Sequence, residues 1–172
     1  IDAFFESTSG ITTTGATVIE NLETKSHGIL IWRALLQWLG GVGIIVMALA
    51  VLPMLSIGGM QLFKTESYET PDKVVPKAAS FAAGISIVYI TLTVIWALML
   101  WGAGMPMFDS IAHAMTTLAT GGYSTKSESL AAFNSSTIEI IIIFGMLVGS
   151  LPFVHYLTLS KNGIRNLIKD DQ

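Results

Sequence analysis

Three long runs without a charged residue constrain the fold of this chain more than any other feature. Residues 34–63, 78–108 and 140–160 contain no Asp, Glu, Lys or Arg. A membrane-spanning helix needs about 20 consecutive apolar residues, so each run is long enough to cross a bilayer. A single run would also fit a buried helix of a soluble protein, but three in 172 residues favour a membrane protein. The sequence therefore predicts an all-α integral membrane protein with three spans.

The composition agrees with this class and excludes several others. Charged residues make up 12% of the chain, whereas soluble domains carry roughly 25%. The net charge of −3 and the lack of a basic stripe disfavour a nucleic-acid partner. The chain has no cysteine, which excludes disulfides and thiolate metal sites. No metal-hydrolase or nucleophile–His–acid pattern is evident, so we predict neither an enzyme nor an organic cofactor.

Basic residues predict the orientation of the spans. The loop 64–77 holds three lysines, and the tail 161–172 holds two lysines and an arginine. The opposite side has only Lys25, Arg33 and Lys126. Because cytoplasmic loops are enriched in Lys and Arg, we predict that the loop 64–77 and the C-terminus are cytoplasmic.

An internal repeat relates the first part of the chain to a later part. A shift of 107 positions places residues 1–17 on residues 108–124 and Gly15 on Gly122. A shift of 106 would pair Gly15 with Gly121 but would lose the match between two aspartates. Each copy contains a short helix-like segment, a threonine-glycine loop and an apolar span. The first copy lacks a leading span, as expected if the chain begins within a larger protein.

The segments 2–11 and 109–118 are too short to cross a bilayer. At about 1.5 Å per residue, ten residues cover roughly 15 Å, half of a hydrocarbon core. We expect re-entrant half-helices that enter from the outer side and end near mid-depth. Asp2 and Asp109 lie near their N-termini, where a carboxylate suits the helix dipole. The negative C-terminal poles then point into the membrane, towards a place that favours a cation.

The loops after these half-helices are candidate cation sites. Irregular backbone at membrane depth is tolerated only inside protein or along a water-filled cavity. Unpaired carbonyls there can replace the hydration shell of a monovalent cation, and glycine allows the positive φ that turns carbonyls to one side. Because the loops carry no charge, they suit a potassium-like ion better than a divalent cation. The predicted filter residues are Thr12, Thr13, Thr14, Gly15, Ala119, Thr120, Gly121 and Gly122.

Simpler interpretations stay open for the loops and for the acidic residues that follow them. Each loop can also be an ordinary glycine-rich turn between helices, although two copies in register favour a filter. A phosphate cradle is disfavoured because the chain has no GxxxxGK[ST] motif. Glu20, Glu23 and Glu128 follow the loops and either concentrate cations at an outer vestibule or form a solvated surface.

Several segments together resemble a known family. The stretches "FESTSGITTTGATV", "WRALLQWLGG", "FDSIAHAMTTLATGGYST" and "GSLPFVHYL" are similar to the membrane subunit of Trk-type potassium uptake systems, in the Trk/Ktr/HKT superfamily. The resemblance covers essentially the whole chain. It implies span–half-helix–filter loop–span repeats, four per polypeptide, around one potassium filter. Each repeat has one signature glycine, and the matching residues here are Gly15 and Gly122.

The resemblance implies that the chain supplies about two of the four repeats. Residues 1–63 would form the half-helix, loop and second span of one repeat, and residues 78–160 a complete second repeat. The segment 64–77 would be a cytoplasmic loop and 161–172 a cytoplasmic tail or linker.

The resemblance also implies function, location and partners. The function is potassium transport in the bacterial inner membrane, with potassium as the bound ion. The partners are the lipid bilayer, the remaining repeats, a second copy in a homodimer and a cytoplasmic nucleotide-binding regulatory subunit. Serine at a filter glycine favours sodium permeation in plant members, and both glycines are present here. The alternatives are a sodium-permeable or ion-coupled transporter of the same architecture and a non-conducting membrane scaffold.

Overall fold

The computed structural model describes residues 1–51 and 74–151, with side chains for 1–43 and 83–151. Every regular element in these ranges is helical, which confirms the all-α prediction for this part of the chain. Short 3-10 turns lie at Leu22–Thr24 and Ser129–Phe133. The α-helices are α1 (Asp2–Ile11), α2 (His27–Val51), α3 (Val74–Gly102), α4 (Met107–Leu118) and α5 (Ser136–Ser150).

The long helices only partly follow the uncharged runs. Residues Ala83–Gly102 of α3 are long and apolar enough to cross a membrane. The second run continues to residue 108, but the helix ends at Gly102 because the chain turns through Gly104, at φ 96°, towards Pro106. Helix α3 is already helical at Val74, inside the segment 64–77 that we predicted as a loop.

Helix α2 begins before the first uncharged run. The run starts at residue 34, directly after Arg33, whereas the helix starts at His27. The helix continues through Arg33 because arginine is a good helix former, and the buried charge is paired with Glu6. The end of this run after residue 51, the end of the third run after residue 151, and the predicted tail lie outside the described residues.

The two short helices lie where the sequence predicts them. Helix α1 covers the predicted segment 2–11, and α4 starts two residues before the predicted segment 109–118. Asp2 and Asp109 each lie in a first turn. The Asp109 carboxylate accepts a hydrogen bond from the Thr125 hydroxyl at 2.7 Å instead of capping the helix. Helix α4 is the centre of the fold and packs against α2, α3 and α5.

Small residues on the long helices allow close contact with the ends of the short ones. The ideal Cβ position of Gly40 would overlap the Ile11 carbonyl at the end of α1. That of Gly149 lies 2.9 Å from the carbonyl oxygen of Leu118, the last residue of α4. At Gly145, a Cβ would overlap the Trp96 ring. Small side chains are typical where membrane helices approach closely.

Two buried aromatic residues, Tyr89 and Trp96, and the half-buried Trp38 connect the long helices through their polar atoms. Trp38 Nε1 donates to Thr93 Oγ1 at 3.0 Å, and Trp96 Nε1 donates to the Ile141 carbonyl at 3.0 Å. The Tyr89 hydroxyl donates to the Trp38 carbonyl at 3.2 Å. Each ring therefore buries apolar area without leaving its N–H or O–H group unpaired. These bonds fix α2, α3 and α5 around the short helix α4.

Candidate cation site

The two predicted filter loops leave their half-helices through the same backbone hydrogen bonds. Three consecutive amides in each loop bond back to carbonyls in the last turn of the half-helix, at 2.9–3.1 Å. The bonds correspond one to one under the shift that places Gly15 on Gly122, but not under the shift that places it on Gly121. The bonds run from Thr12 to Thr8, Thr13 to Gly10 and Thr14 to Ser9, and from Ala119 to Met115, Thr120 to Thr117 and Gly121 to Thr116.

The loops also share an unusual sequence of backbone angles. Thr13 and Thr120 have φ values of 55° and 52°, and Gly15 and Gly122 have φ values of 80° and 83°. The residue between them has a negative φ in both loops. A β-branched residue at positive φ is a rare, strained conformation that costs about 1–3 kcal/mol. Such strain persists only where the surrounding structure imposes it.

The loops lie side by side, and the two signature glycines differ in their surroundings. A Cβ on Gly15 would overlap the carbonyl oxygen of Gly121, so glycine is needed there for space as well as for its φ. A Cβ on Gly122 would meet no atom within 4 Å. Only the φ of 83° demands glycine at that position.

Several loop carbonyls lack an internal partner. The carbonyl oxygens of Thr13, Thr14, Thr120 and Gly122 accept no hydrogen bond from residues 1–43 or 83–151. The Gly121 carbonyl is different because it accepts one from Gln37 Nε2 at 2.9 Å. Of the eight predicted filter residues, Thr12, Thr14, Thr120 and Gly122 are exposed, Thr13 and Gly15 are half-buried, and Ala119 and Gly121 are buried.

The threonine hydroxyl at the start of the first loop bonds behind it. Thr12 Oγ1 donates to the Thr8 carbonyl at 2.7 Å and lies 2.8 Å from Thr14 Oγ1. This hydroxyl therefore braces the loop on its own half-helix. The acceptors that the exposed loop presents are mainly backbone carbonyls.

A buried ion pair holds the first loop on its half-helix. Glu6 and Arg33 are 5% and 3% exposed, and Arg33 Nε donates to Glu6 Oε1 at 2.7 Å. The same carboxylate accepts the Thr17 hydroxyl at 2.9 Å and the Val18 amide at 3.1 Å. Arg33 Nη1 also donates to the Ser124 carbonyl of the second loop at 3.0 Å. One guanidinium thus joins α1, the end of the first loop and the end of the second.

A histidine takes the place of the Glu6 carboxylate behind the second loop. In the internal repeat, His113 aligns with Glu6 and Ser124 aligns with Thr17. His113 Nε2 lies 3.0 Å from Ser124 Oγ, and His113 Nδ1 lies 2.8 Å from the Asp109 carbonyl. The imidazole therefore braces the end of the second loop on α4, where the first loop uses a carboxylate.

We call α1, the first loop and α2 the first unit, and α3, α4, the second loop and α5 the second unit. Tyr123 and Gln37 link the second loop to the first unit. The Tyr123 side chain is 4% exposed, and its hydroxyl donates to the Glu6 carbonyl at 2.8 Å. The Arg33 guanidinium carbon lies 4.1 Å from the centre of the Tyr123 ring, a cation–π contact. The fully buried Gln37 accepts the Tyr123 amide at 3.0 Å while donating to Gly121. Sequence reasoning missed these two residues, although Gln37 is a polar residue in an apolar run.

The acidic residues after the loops have separate roles. Glu20 and Glu128 are exposed in the segments that follow the two loops. Glu23 bridges the two segments, since its carboxylate accepts the Ser127 amide at 2.7 Å and the Ser127 hydroxyl at 2.8 Å. The bond from the Ser127 amide lowers the pKa of Glu23 below its usual 4.5. Glu23 therefore connects the two segments by hydrogen bonds and also contributes a negative charge there.

A helix long and apolar enough to cross a membrane, packed with short helices that end in acceptor-rich loops, is typical of a helical membrane transport protein. The comparison with known families agrees: residues 1–171 match the TrkH family, described as a cation transport protein. The chain belongs to this family, whose members are transporters and not enzymes.

The chain is similar to several Trk potassium uptake proteins. It is 44% identical over 174 residues to TrkH of Salmonella typhimurium, a Trk system potassium uptake protein, covering 99% of this chain and 36% of that protein. It is 42% identical over 173 residues to TrkI of Halomonas elongata, covering 99% of this chain and 35% of that protein. The chain thus spans about a third of the length of these curated relatives.

A solved structure gives the same result for the fold. The crystal structure of the potassium transporter TrkH from Vibrio parahaemolyticus matches this structure with a TM-score of 0.81. The sequence identity is 40%, and the match covers 98% of this chain and 34% of that chain. The arrangement of helices is therefore shared with a potassium transporter.

Proposed function

We propose that this chain is part of a potassium-transporting membrane subunit, in which the loops 12–15 and 119–122 bind a dehydrated potassium ion. The observation that carries the proposal is the pair of loops itself. They share backbone angles and hydrogen bonds in the register that aligns Gly15 with Gly122, and they lie against each other. The names of the relatives, which are potassium uptake proteins, support the choice of ion.

The backbone angles favour carbonyl binding of an ion. In an extended chain, consecutive carbonyls point to opposite sides. A reversal of the sign of φ at every second residue cancels this alternation and turns the carbonyls towards one side. The positive values at Thr13 and Gly15, and at Thr120 and Gly122, give this pattern in both loops. Because several of these carbonyls have no partner within the described residues, they are free to replace the hydration shell of a monovalent cation.

The half-helices add a favourable field. Helices α1 and α4 end at Ile11 and Leu118, directly before the two loops. The C-terminal end of a helix carries a partial negative charge of roughly half an elementary charge, which favours a cation nearby. The loops need no carboxylate of their own for a monovalent ion, and a site without carboxylates disfavours divalent cations.

The remaining parts of the proposal concern the whole protein. We infer location in the bacterial inner membrane, with the loops outside and the segment 64–77 and the C-terminus in the cytoplasm. Residues 1–63 and 78–160 belong to two successive pore repeats, with 161–172 as a tail or linker. The partners are the remaining repeats, a second copy and a cytoplasmic nucleotide-binding regulatory subunit. Two findings support partners of this kind. The chain covers only about a third of the relatives' length, and the relatives are described as proteins of a Trk system.

The test is cation flux through the full-length protein in liposomes, measured for potassium, rubidium and sodium. We expect potassium and rubidium to pass far better than sodium, and we expect Gly122→Ser to lose this preference. The matched control is Gly104→Ser, since Gly104 also has a positive φ of 96° and open space for a Cβ but lies outside both loops. The control carries the same backbone strain and should keep the preference.

Other outcomes would favour the alternatives. Equal potassium and sodium flux before any substitution would favour a sodium-permeable transporter of the same architecture. No cation flux with activating partners present would favour a membrane scaffold. Selectivity that is lost equally in the Gly122 and Gly104 variants would mean that strain, and not the loop carbonyls, explains the effect.

A further inference from the structure

An open pocket lies between α4, the second loop and α5. Its volume is about 400 Å³, which exceeds the volume of one aromatic side chain. Residues of the half-helix and of the loop form one side, and apolar residues of α5 form the other. The lining includes His113, Thr116, Thr120, Ile142 and Met146.

The first unit has a groove in the same place, and there an aromatic side chain fills it. This groove lies between α1, the first loop and α2, and it holds the ring of Tyr123 from the second loop. The Tyr123 Cε2 atom lies 3.5 Å from the ideal Cβ position of Gly10 on α1. The Tyr123 hydroxyl reaches the Glu6 carbonyl, and the Arg33 guanidinium covers the ring. The second unit thus inserts a ring into the first.

The two grooves have matching positions on the long helices, although Thr117 takes the place of Gly10 on the short helix. Gly40 of α2 packs on the last carbonyl of α1, and Gly149 of α5 packs on the last carbonyl of α4. When the two long helices are aligned on these glycines, Ile142 takes the place of Arg33. In the same alignment Met146 takes the place of Gln37, and both replacements line the pocket. The pocket is therefore the second unit's form of the groove that holds Tyr123, with polar groups replaced by apolar ones.

We propose that this pocket is the socket for an aromatic side chain from the loop of a third half-helix unit in the full-length protein. The contact between the first two units is head-to-tail, because one unit gives the groove and the other gives the ring. Such contacts use different surfaces on the two partners, so a pair always leaves one groove open. A further unit in the same orientation brings its ring to the pocket.

The relatives have enough additional chain for such a unit. The matched part, which holds both units, makes up 36% of TrkH from Salmonella typhimurium, so the rest of that protein has room for more than one further unit. The apolar Ile142 and Met146 offer a ring an apolar surface in place of the guanidinium that contacts Tyr123. The proposal rests on the proposed function only in assuming further pore units, and its test needs no ion flux.

The test is site-specific photo-crosslinking in the full-length protein in its membrane. The photoreactive residue benzoylphenylalanine replaces Met146, which lines the pocket and is 55% exposed. After irradiation and digestion, mass spectrometry identifies the crosslinked peptide. We expect a peptide of the same chain from beyond residue 172, carrying an aromatic residue directly after a loop glycine, as Tyr123 follows Gly122.

A matched control tests the filled groove by the same method. Leu36 and Tyr123 both contact the position of Gly10, so benzoylphenylalanine at Leu36 should crosslink to the peptide that contains Tyr123. If the control crosslinks and the Met146 probe captures lipid, a second copy, residues 1–172 or nothing, the socket proposal is wrong. If neither probe captures an aromatic loop residue, the filled groove is also wrong, and the proposal falls with it.

The crosslink and the flux give separate answers. A Met146 crosslink to a third loop in a protein that passes no potassium would keep the socket and reject the proposed function. Potassium-selective flux with a Met146 crosslink to lipid would keep the function and reject the socket.

Discussion

Removal of the guanidinium at Arg33 tests the link between the two loops most directly. In an Arg33→Met variant, the side chain keeps its approximate length but loses every hydrogen bond. The Glu6 carboxylate then keeps only the Thr17 hydroxyl and the Val18 amide as donors. The Ser124 carbonyl loses its donor at 3.0 Å, and the Tyr123 ring loses its cation.

The expected cost follows from the burial of both charges. The side chains of Arg33 and Glu6 are 3% and 7% exposed, so a single deletion leaves an uncompensated buried carboxylate. Breaking a buried pair in this way costs about 3–5 kcal/mol. Glu6→Gln leaves the buried Arg33 charge without its counterion, so we expect a loss of the same order, about 3–5 kcal/mol, although the amide oxygen can still accept from Arg33 Nε. The double variant Glu6→Gln/Arg33→Met should lose less than the sum, because no buried charge is left unpaired.

The assay is a double-mutant cycle on the free energy of unfolding, measured for the full-length protein in mixed detergent micelles. The potassium-to-sodium flux ratio is measured for the same variants. We expect a coupling of about 0.5–3 kcal/mol and a reduced flux ratio in both variants that lack Arg33. Additive losses would refute the ion pair as a coupled unit. An unchanged flux ratio in Arg33→Met would refute the view that Arg33 positions the loops for selectivity.

Two further predictions concern other links between the units. Gln37→Leu removes the donor to the second-loop carbonyl and leaves this carbonyl unpaired, at a cost of about 1–3 kcal/mol, and we expect a lower rubidium-to-sodium flux ratio. The control is Thr91→Val, which removes an exposed hydroxyl that bonds within α3 and should leave the ratio unchanged. The lowered pKa of Glu23 means that its bond to Ser127 contributes stability above the ordinary glutamate pKa of 4.5 and loses it only as the pH falls through the lower, folded-state value. Protection of the Ser127 amide from hydrogen exchange should therefore persist at pH 4.5 and fall on further acidification, whereas a Glu23→Gln variant with the same pH response would contradict this.

The short helices and the loop positions could be predicted from the sequence because they depend on local patterns. The end of each half-helix follows from a short helix-like segment that stops at a threonine-glycine loop, at Ile11 and again at Leu118. The register of the repeat, chosen from a pair of aspartates, also aligns the positive φ values of Gly15 and Gly122. Local sequence determines these features, and two copies reinforce each other.

The contacts between the units could not be predicted because they join residues far apart in the chain. The bonds from Gln37 to Gly121 and from Tyr123 to Glu6 span 84 and 117 residues. No periodicity or motif indicates which distant residues meet. The start of α2 at His27 was missed for a related reason. The uncharged run begins only after Arg33, and the sequence does not show that Arg33 is paired with Glu6.

The Glu6–Arg33 pair has a consequence for how the chain enters the membrane during synthesis. The two residues are 27 positions apart, so both leave the ribosome long before Tyr123 does. Each charge can thus be neutralised by the other while the second unit is still being translated. Tyr123 then covers a pair that is already formed, and the order of synthesis matches the order in which the groups need their partners.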